Sequence, residues 1–186
     1  DEIHNQLILA EGVRHVPMAA LGPEVAARTI TLLAPSKAYH VAGLSCSLAI
    51  IPDDGLRRRF RRAMAGNVPG VNVLGFVAGL AAWRDGAAWL TAQIDYLRRN
   101  RDFLTEQVAA LPGITMASVE ATYLAWLDVS ALGLADPVAH FERHGLGFSG
   151  GQEFAGPGYV RFNFGCTRAT LADACRRLAR AVDAAG

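Results

Sequence analysis

Lysine is almost missing from this chain. Eighteen of its 186 residues are lysine or arginine, and Lys37 is the only lysine among them. Cysteine is scarce as well. Cys46, Cys166 and Cys175 are odd in number and lack metal-ligand spacing, which argues against a disulfide framework or a zinc site and fits a reducing, cytoplasmic setting. Charge of either sign is not in excess. A formal net charge of +1 gives no electrostatic case for nucleic acid or an anionic membrane. No apolar run approaches the ~20 residues of a transmembrane helix, and no signal-peptide pattern opens the chain. The first residue is Asp1 rather than methionine, so a piece of a longer protein is expected. What the chain does have is apolar bulk: 52% hydrophobic residues can core one domain, or one and a half.

A chain that uses arginine for every other positive charge and keeps one lysine points to a need for an amine. Arginine stays protonated near neutral pH and cannot act as a nucleophile; a partly buried lysine can lose its proton and condense with a carbonyl. A surface lysine with no role is the plain alternative. The apolar, β-branched run 29–33 reads as a buried strand and Ala34-Pro-Ser36 as its exit. Lys37 then falls at a strand's C-terminal end, where α/β sheets bind ligands.

Around that point the chain reads as α/β. Residues 1–9 look like a strand end followed by a short apolar run. His15-Val-Pro-Met18 marks a loop and 24–28 a helical turn. A second apolar run, 47–51, lacks polar alternation, so both strands suit a sheet covered on both faces. Helices follow. Residues 55–65 are basic and exposed, with Arg57-Arg-Arg59, Arg61 and Arg62 as a solvated face; 72–84 are small and apolar all round, which predicts burial. Residues 87–111 form a long helix stopped by Pro112-Gly113, the bridge to a smaller domain. The remainder is α+β. Strands are expected at 114–116, 123–129 and 159–164, a helix begun by Asp136 at 137–144, and a last helix opening with the capping-box pattern Thr170-Leu-Ala-Asp173.

Three possible chemistries are weak. Gly145-Leu-Gly147-Phe-Ser-Gly150 has the spacing of a nucleotide-binding loop but follows a helix and opens none, so a plain connecting loop is expected. His140 and His144 could share a helix face and bind a metal, but no third ligand is evident, so they read as exposed helix histidines. Arg168 and Arg176 beside Cys166 and Cys175 could lower a thiol pKa, yet no Cys–His pair is readable and Cys175 fits a buried helix face.

The stronger set is Asp1, Lys37 and Arg161 in that order. Pyridoxal 5'-phosphate needs a lysine for its aldehyde and a carboxylate for its ring nitrogen, so that the ring can accept charge from the substrate Cα. An amino-acid substrate needs a cation for its carboxylate, and a bidentate arginine suits it.

Four stretches turn this set into a resemblance: Asp1-Glu-Ile-His4, His15-Val-Pro-Met-Ala-Ala-Leu21, Ala34-Pro-Ser-Lys-Ala-Tyr-His-Val-Ala-Gly-Leu44 and Arg161-Phe-Asn-Phe-Gly-Cys-Thr-Arg168. In them the chain resembles the C-terminal half of a fold-type I pyridoxal-phosphate enzyme of the aminotransferase class I/II superfamily, and most closely its cystathionine β-lyase, or C–S lyase, branch. The resemblance implies two parts. Residues 1–93 would belong to the large cofactor-binding domain, with a mixed, mostly parallel sheet. Residues 94–186 would form a small α+β domain joined by the long helix.

It also implies roles. Lys37 would hold the cofactor aldehyde and shuttle the Cα proton. Asp1 would pair with the ring nitrogen, Ile3 pack on the ring, His4 lie near its hydroxyl and Ser36 touch the phosphate. Arg161, with Asn163 and Tyr123 nearby, would bind the substrate carboxylate, and the protein would be a homodimer. There are departures. Tyr39-His40 stands where the branch has Phe-Asn, Thr167 where it has proline, and Ser45-Cys-Ser47 where many aminotransferases have a phosphate-binding arginine. The last favours the lyase branch. The family's phosphate loop and ring-stacking aromatic belong upstream of Asp1, so these residues alone would supply about half of the cofactor's site.

Three functions follow: β-elimination from cystathionine or another S-substituted cysteine, transamination, or effector binding by a regulator's aminotransferase-like domain.

Overall fold

The computed structural model describes residues 1–185. They divide into two compact units, Asp1–Gln93 and Ile94–Gly186. In the first, the apolar runs form strands β1 (Thr31–Leu33) and β2 (Leu48–Ile50). They pair antiparallel with Thr31 opposite Ile50, Leu32 opposite Ala49 and Leu33 opposite Leu48. The Glu2 amide donates to the Leu32 carbonyl (3.0 Å), which ties the N-terminal segment to β1. Leu7, Leu9, Ala38 and Ile51 are buried around this pair. Residues 1–9, expected as a strand end, are turns and a single bridge position.

Every strand pairing among the described residues is antiparallel. A parallel pair needs a crossover connection; β1 and β2 are joined by turns and pair antiparallel, as the expected mixed sheet allows. The strands are also less covered than their apolar runs predict, with Leu32, Leu48 and Ile50 exposed.

Helix α1 (Pro23–Ala26) is a single turn. Helix α2 (Asp54–Met64) starts where the Asp53 carboxylate accepts from the Leu56 amide and ends on Arg61 and Arg62, whose charges suit the negative C-terminal end of its dipole. It buries no residue, as its arginine-rich pattern predicts.

Helix α3 (Val73–Asp85) corrects an expectation. Its all-apolar composition predicts burial on all sides, but only Gly75, Gly79 and Ala82 are buried. A Cβ at Gly75 would come within 2.5 Å of the Leu44 carbonyl oxygen. The small residues therefore let one face approach the backbone closely. The large side chains fall outside that face, and Val73, Leu74, Phe76, Val77 and Leu80 are 58–73% exposed. Composition reports how apolar a helix is, not whether enough neighbours exist to cover it.

Helix α4 (Ala87–Ala109) buries Leu97, Asn100, Leu104 and Val108, three or four residues apart. From Ile94 onward it belongs to the second unit. There β3 (Thr115–Met116), β4 (Leu124–Asp128), β5 (Ser149–Gly150) and β6 (Tyr159–Asn163) form an antiparallel sheet in the order β3-β4-β6-β5. Burial alternates along β4 and β6. Ala125, Leu127, Val160 and Phe162 enter the core, while Trp126 and Arg161 are paired on the other face.

Helix α5 (Pro137–Arg143) is capped by Asp136, whose carboxylate accepts from the Ala139 amide at 3.0 Å. Helix α6 (Arg168–Asp183) buries Leu171, Cys175, Leu178, Ala181 and Val182. Its cap is Thr167, not the Thr170–Asp173 box. Thr167 Oγ1 accepts from the Thr170 amide, and Asp173 pairs with Arg176 and Arg177.

Leu104 is fully buried in α4 while Val77 stands exposed on α3. In chemical denaturation of this chain, Leu104→Ala is expected to cost about 2–5 kcal/mol, from lost burial plus the cavity. Val77→Ala is expected to stay within about 0.5 kcal/mol. Equal losses at the two sites would contradict the burial described.

Candidate functional site

The lysine loop is a tight turn at the end of β1. Residues 35–38 form the turn, the Tyr39 amide donates to the Pro35 carbonyl (2.9 Å), and the Val41 amide donates to that of Ser36 (3.2 Å). Pro35 and Ala38 are buried on either side of half-buried Ser36 and Lys37. No carboxylate pairs with Lys37 among the described residues. The loop is fixed by its backbone and by two buried neighbours, and the amine itself is uncommitted.

The Asp1–His4 segment lies beside the same strand. Asp1 Oδ1 accepts from the Ile3 amide at 3.0 Å. Asp1 and Ile3 line a cavity of about 530 Å³ with Leu33, Ala34 and Ser47, and with Arg57, Phe60 and Arg61 of α2. His4, Ser36 and Lys37 are not among its lining residues. His4 is half-buried, and its carbonyl accepts from the Leu7 amide.

Glu2 joins two of the matching stretches. Its carboxylate takes His15 Nε2 at 3.0 Å and the Met18 amide at 2.9 Å, and these two hydrogen bonds hold its pKa below the ordinary carboxylate value. The loop 15–18 is thereby pinned to the segment that bears Asp1. Nothing in the sequence signals this role of Glu2 beyond the His15-Val-Pro-Met18 motif that it holds.

In the second unit Arg161 and Asn163, two residues apart on β6, fall on the non-core face. Arg161 Nη2 donates to Ser149 Oγ (3.1 Å), and its guanidinium lies 4.5 Å from the Phe154 ring centroid. Trp126 meets Phe154 edge-on and stacks on Tyr159. Arg161 makes no ion pair among the described residues. Asp128, on the neighbouring strand, is engaged with the Ser130 hydroxyl and amide, which lower its pKa. A half-buried guanidinium, held by a hydroxyl and a ring and free of carboxylates, can still take one.

Asn163 is exposed, and its Oδ1 accepts from the Gly165 amide at 2.9 Å. The Tyr123 carbonyl accepts from the Phe164 amide, and burial pushes its phenol pKa up. Ser149 and Phe154 as supports of Arg161 had no sequence signal, because strand register brings Ser149 to it and the helical turn Gly151–Phe154 that follows β5 brings Phe154.

The weaker motifs resolve plainly. His140 is buried rather than exposed: its Nε2 reaches the Ala181 carbonyl oxygen at 2.8 Å, so α6 covers it. No cluster of three metal-binding side chains exists among the described residues. Gly145 to Gly150 connects α5 to β5. The cysteines show the reverse of activation. Burial raises Cys166, while burial and then the nearby Cys166 raise Cys175 to about 11, outweighing Arg168.

This α/β chain, with an uncommitted lysine at a strand exit and a carboxylate-free arginine on a second sheet, has close structural relatives. A crystal structure of OvoB superposes with a TM-score of 0.95 at 53% identity, covering 98% of this chain and 48% of that one. Cystalysin from Treponema denticola, whose structure contains pyridoxal 5'-phosphate, gives 0.91 at 28% identity, covering 100% and 49%. The cystathionine β-lyase PatB of Bacillus subtilis (strain 168) is 36% identical over 192 residues, 98% of this chain and 49% of PatB. The aminotransferase class I and II family matches residues 1–178, and the chain belongs to that family. It spans about half the length of the curated relatives it matches.

The cysteine geometry is open to direct test. In folded protein at pH 8, iodoacetamide is expected to leave Cys175 unmodified, with labelling rising only as the pH nears its pKa of about 11. Site-resolved mass spectrometry reads this, and prompt labelling of Cys175 at pH 8 would contradict its burial.

Proposed function

We propose that this chain is part of a pyridoxal-phosphate-dependent C–S β-lyase acting on cystathionine or related S-substituted cysteines. The observation that carries the proposal is Lys37, the chain's only lysine, uncommitted at the exit of β1 beside the anchored Asp1–His4 segment. The 36% identity to a cystathionine β-lyase across 98% of the chain supports the lyase reading. So does the absence of an arginine from Ser45-Cys-Ser47.

The residues suit the cofactor. Lys37 supplies the amine, Asp1 a carboxylate for the ring nitrogen, Ile3 an apolar surface, His4 a partner for the ring hydroxyl and Ser36 a hydroxyl for the phosphate. Bound, the cofactor supplies an electron sink for charge arising at the substrate Cα. Arg161, with Asn163 and Tyr123, holds and orients the substrate carboxylate. The Lys37 amine takes the Cα proton. The C–S bond then breaks, its electron pair leaves with sulfur as thiolate, and the released aminoacrylate reacts with water to give pyruvate and ammonia.

In this reading unit Asp1–Gln93 is part of the cofactor domain and unit Ile94–Gly186 the small domain. The protein works as a cytoplasmic homodimer, in keeping with its three free cysteines. Transamination is the second reading, favoured by the family's own activity; it begins with the same proton removal.

Full-length protein with added pyridoxal phosphate and cystathionine is expected to release stoichiometric pyruvate with no keto-acid acceptor. Strict dependence on 2-oxoglutarate would replace the lyase with the aminotransferase. Lys37→Ala is expected to lower kcat by roughly 10²–10⁴-fold, the usual range for a lost acid–base group. It should also abolish the borohydride-fixed cofactor mass on the Lys37 peptide.

A further inference from the structure

Asn100 is an unexpected residue at its position. It is fully buried inside α4, where asparagine is a poor helix former, and its Oδ1 accepts no hydrogen bond among the described residues. Core packing and helix propensity would both favour an aliphatic side chain. What asparagine adds is two donors on one nitrogen. Nδ2 reaches the Phe164 carbonyl at 3.1 Å and the Cys166 carbonyl at 2.8 Å. These carbonyls flank Gly165.

The same stretch of α4 fastens the chain just beyond. Tyr96 Oη accepts from the Arg168 amide (2.7 Å), the Arg99 carbonyl accepts from Arg168 Nη2 (2.6 Å), and the Arg168 guanidinium lies 4.6 Å from the Phe103 ring centroid. Gly165 is thereby held under Tyr123, where a Cβ would come within 2.9 Å of the ring. Its amide is held toward Asn163 Oδ1, 2.9 Å away. That bond uses the acceptor of Asn163 and leaves its Nδ2 as the exposed donor.

We infer that Asn100 is a positioning residue for the carboxylate-binding site. By fixing the 164–166 carbonyls it aims the Gly165 amide, and through it turns Asn163 so that an N–H faces the substrate carboxylate. The inference rests on the proposed role of Arg161 and Asn163, and it assigns Asn100 no contact with substrate.

The test uses the full-length, cofactor-loaded enzyme. Variants are Asn163→Ala, Asn100→Ala, their double mutant and Arg161→Ala. KM, kcat, thermal midpoint and amide exchange at Gly165 are measured. Asn163→Ala and Asn100→Ala are each expected to raise KM roughly tenfold, the value of one hydrogen bond to a charged group, with kcat little changed. The double mutant is expected to match Asn163→Ala alone. Gly165 exchange should accelerate in Asn100→Ala. Multiplying KM effects, or a loss of thermal stability with KM unchanged, would overturn the inference. If Arg161→Ala and Asn163→Ala raise KM and Asn100→Ala does not, the inference alone falls. If neither of the first two raises KM, the carboxylate reading falls and takes the inference with it. Should Asn100→Ala fail to fold, Asn100→Ser is read by the same criteria.

Discussion

Hydrogen bonding along β1 is the constraint on which the first unit depends. The strand is three residues long, yet it is paired with β2 and also takes the Glu2 amide through the Leu32 carbonyl. So short a strand has little stability of its own, and its order comes from being tied to more than one neighbour. Everything of chemical interest in that unit hangs from it. Asp1 and Ile3 are placed because Glu2 is tied down, and Lys37 because Pro35 and Ala38 are buried where the strand ends. Glu2 extends the arrangement by holding the 15–18 loop through His15 and the Met18 amide.

The second unit solves a different problem. In the proposed reading, an arginine that receives a carboxylate must be held without being neutralised beforehand. Here a hydroxyl and an aromatic ring hold Arg161, and the carboxylate of the adjacent strand, Asp128, is occupied by Ser130. Both supports are neutral groups. A hydrogen bond from a charged group contributes about 1.5–3 kcal/mol, and a cation–π contact about 0.5–2 kcal/mol depending on its exposure. Such a site fixes the guanidinium's direction and leaves its charge available.

The apolar surface that remains is concentrated in the first unit, on α3 and at Leu32, Leu48 and Ile50. An exposed apolar face of that kind marks surface that gains by being covered. The chain also spans about half the length of its curated relatives.

Much was legible in the sequence because it is governed by local physics. The lone lysine, the strand before it, the helix start at Asp136 and the stop at Pro112-Gly113 depend on residues within a few positions of one another. The order of Asp1, Lys37 and Arg161 marked the family. What neighbours decide could not be read there. Apolar composition implied a buried α3, and the structure exposes its large side chains because only a small-residue face meets backbone. His140 is buried because α6 crosses it, and Asn100 matters because its two acceptors lie 64 and 66 residues further on. Ser149 reaches Arg161 through strand register. The sequence by itself determined which residue types the chemistry has and where each element starts and stops, since those follow from side-chain chemistry and local backbone preference. Only the tertiary structure decided which arginine is held by a hydroxyl and a ring, which asparagine is buried against two backbone carbonyls and which apolar face is left open, because those depend on contacts between residues far apart in the chain.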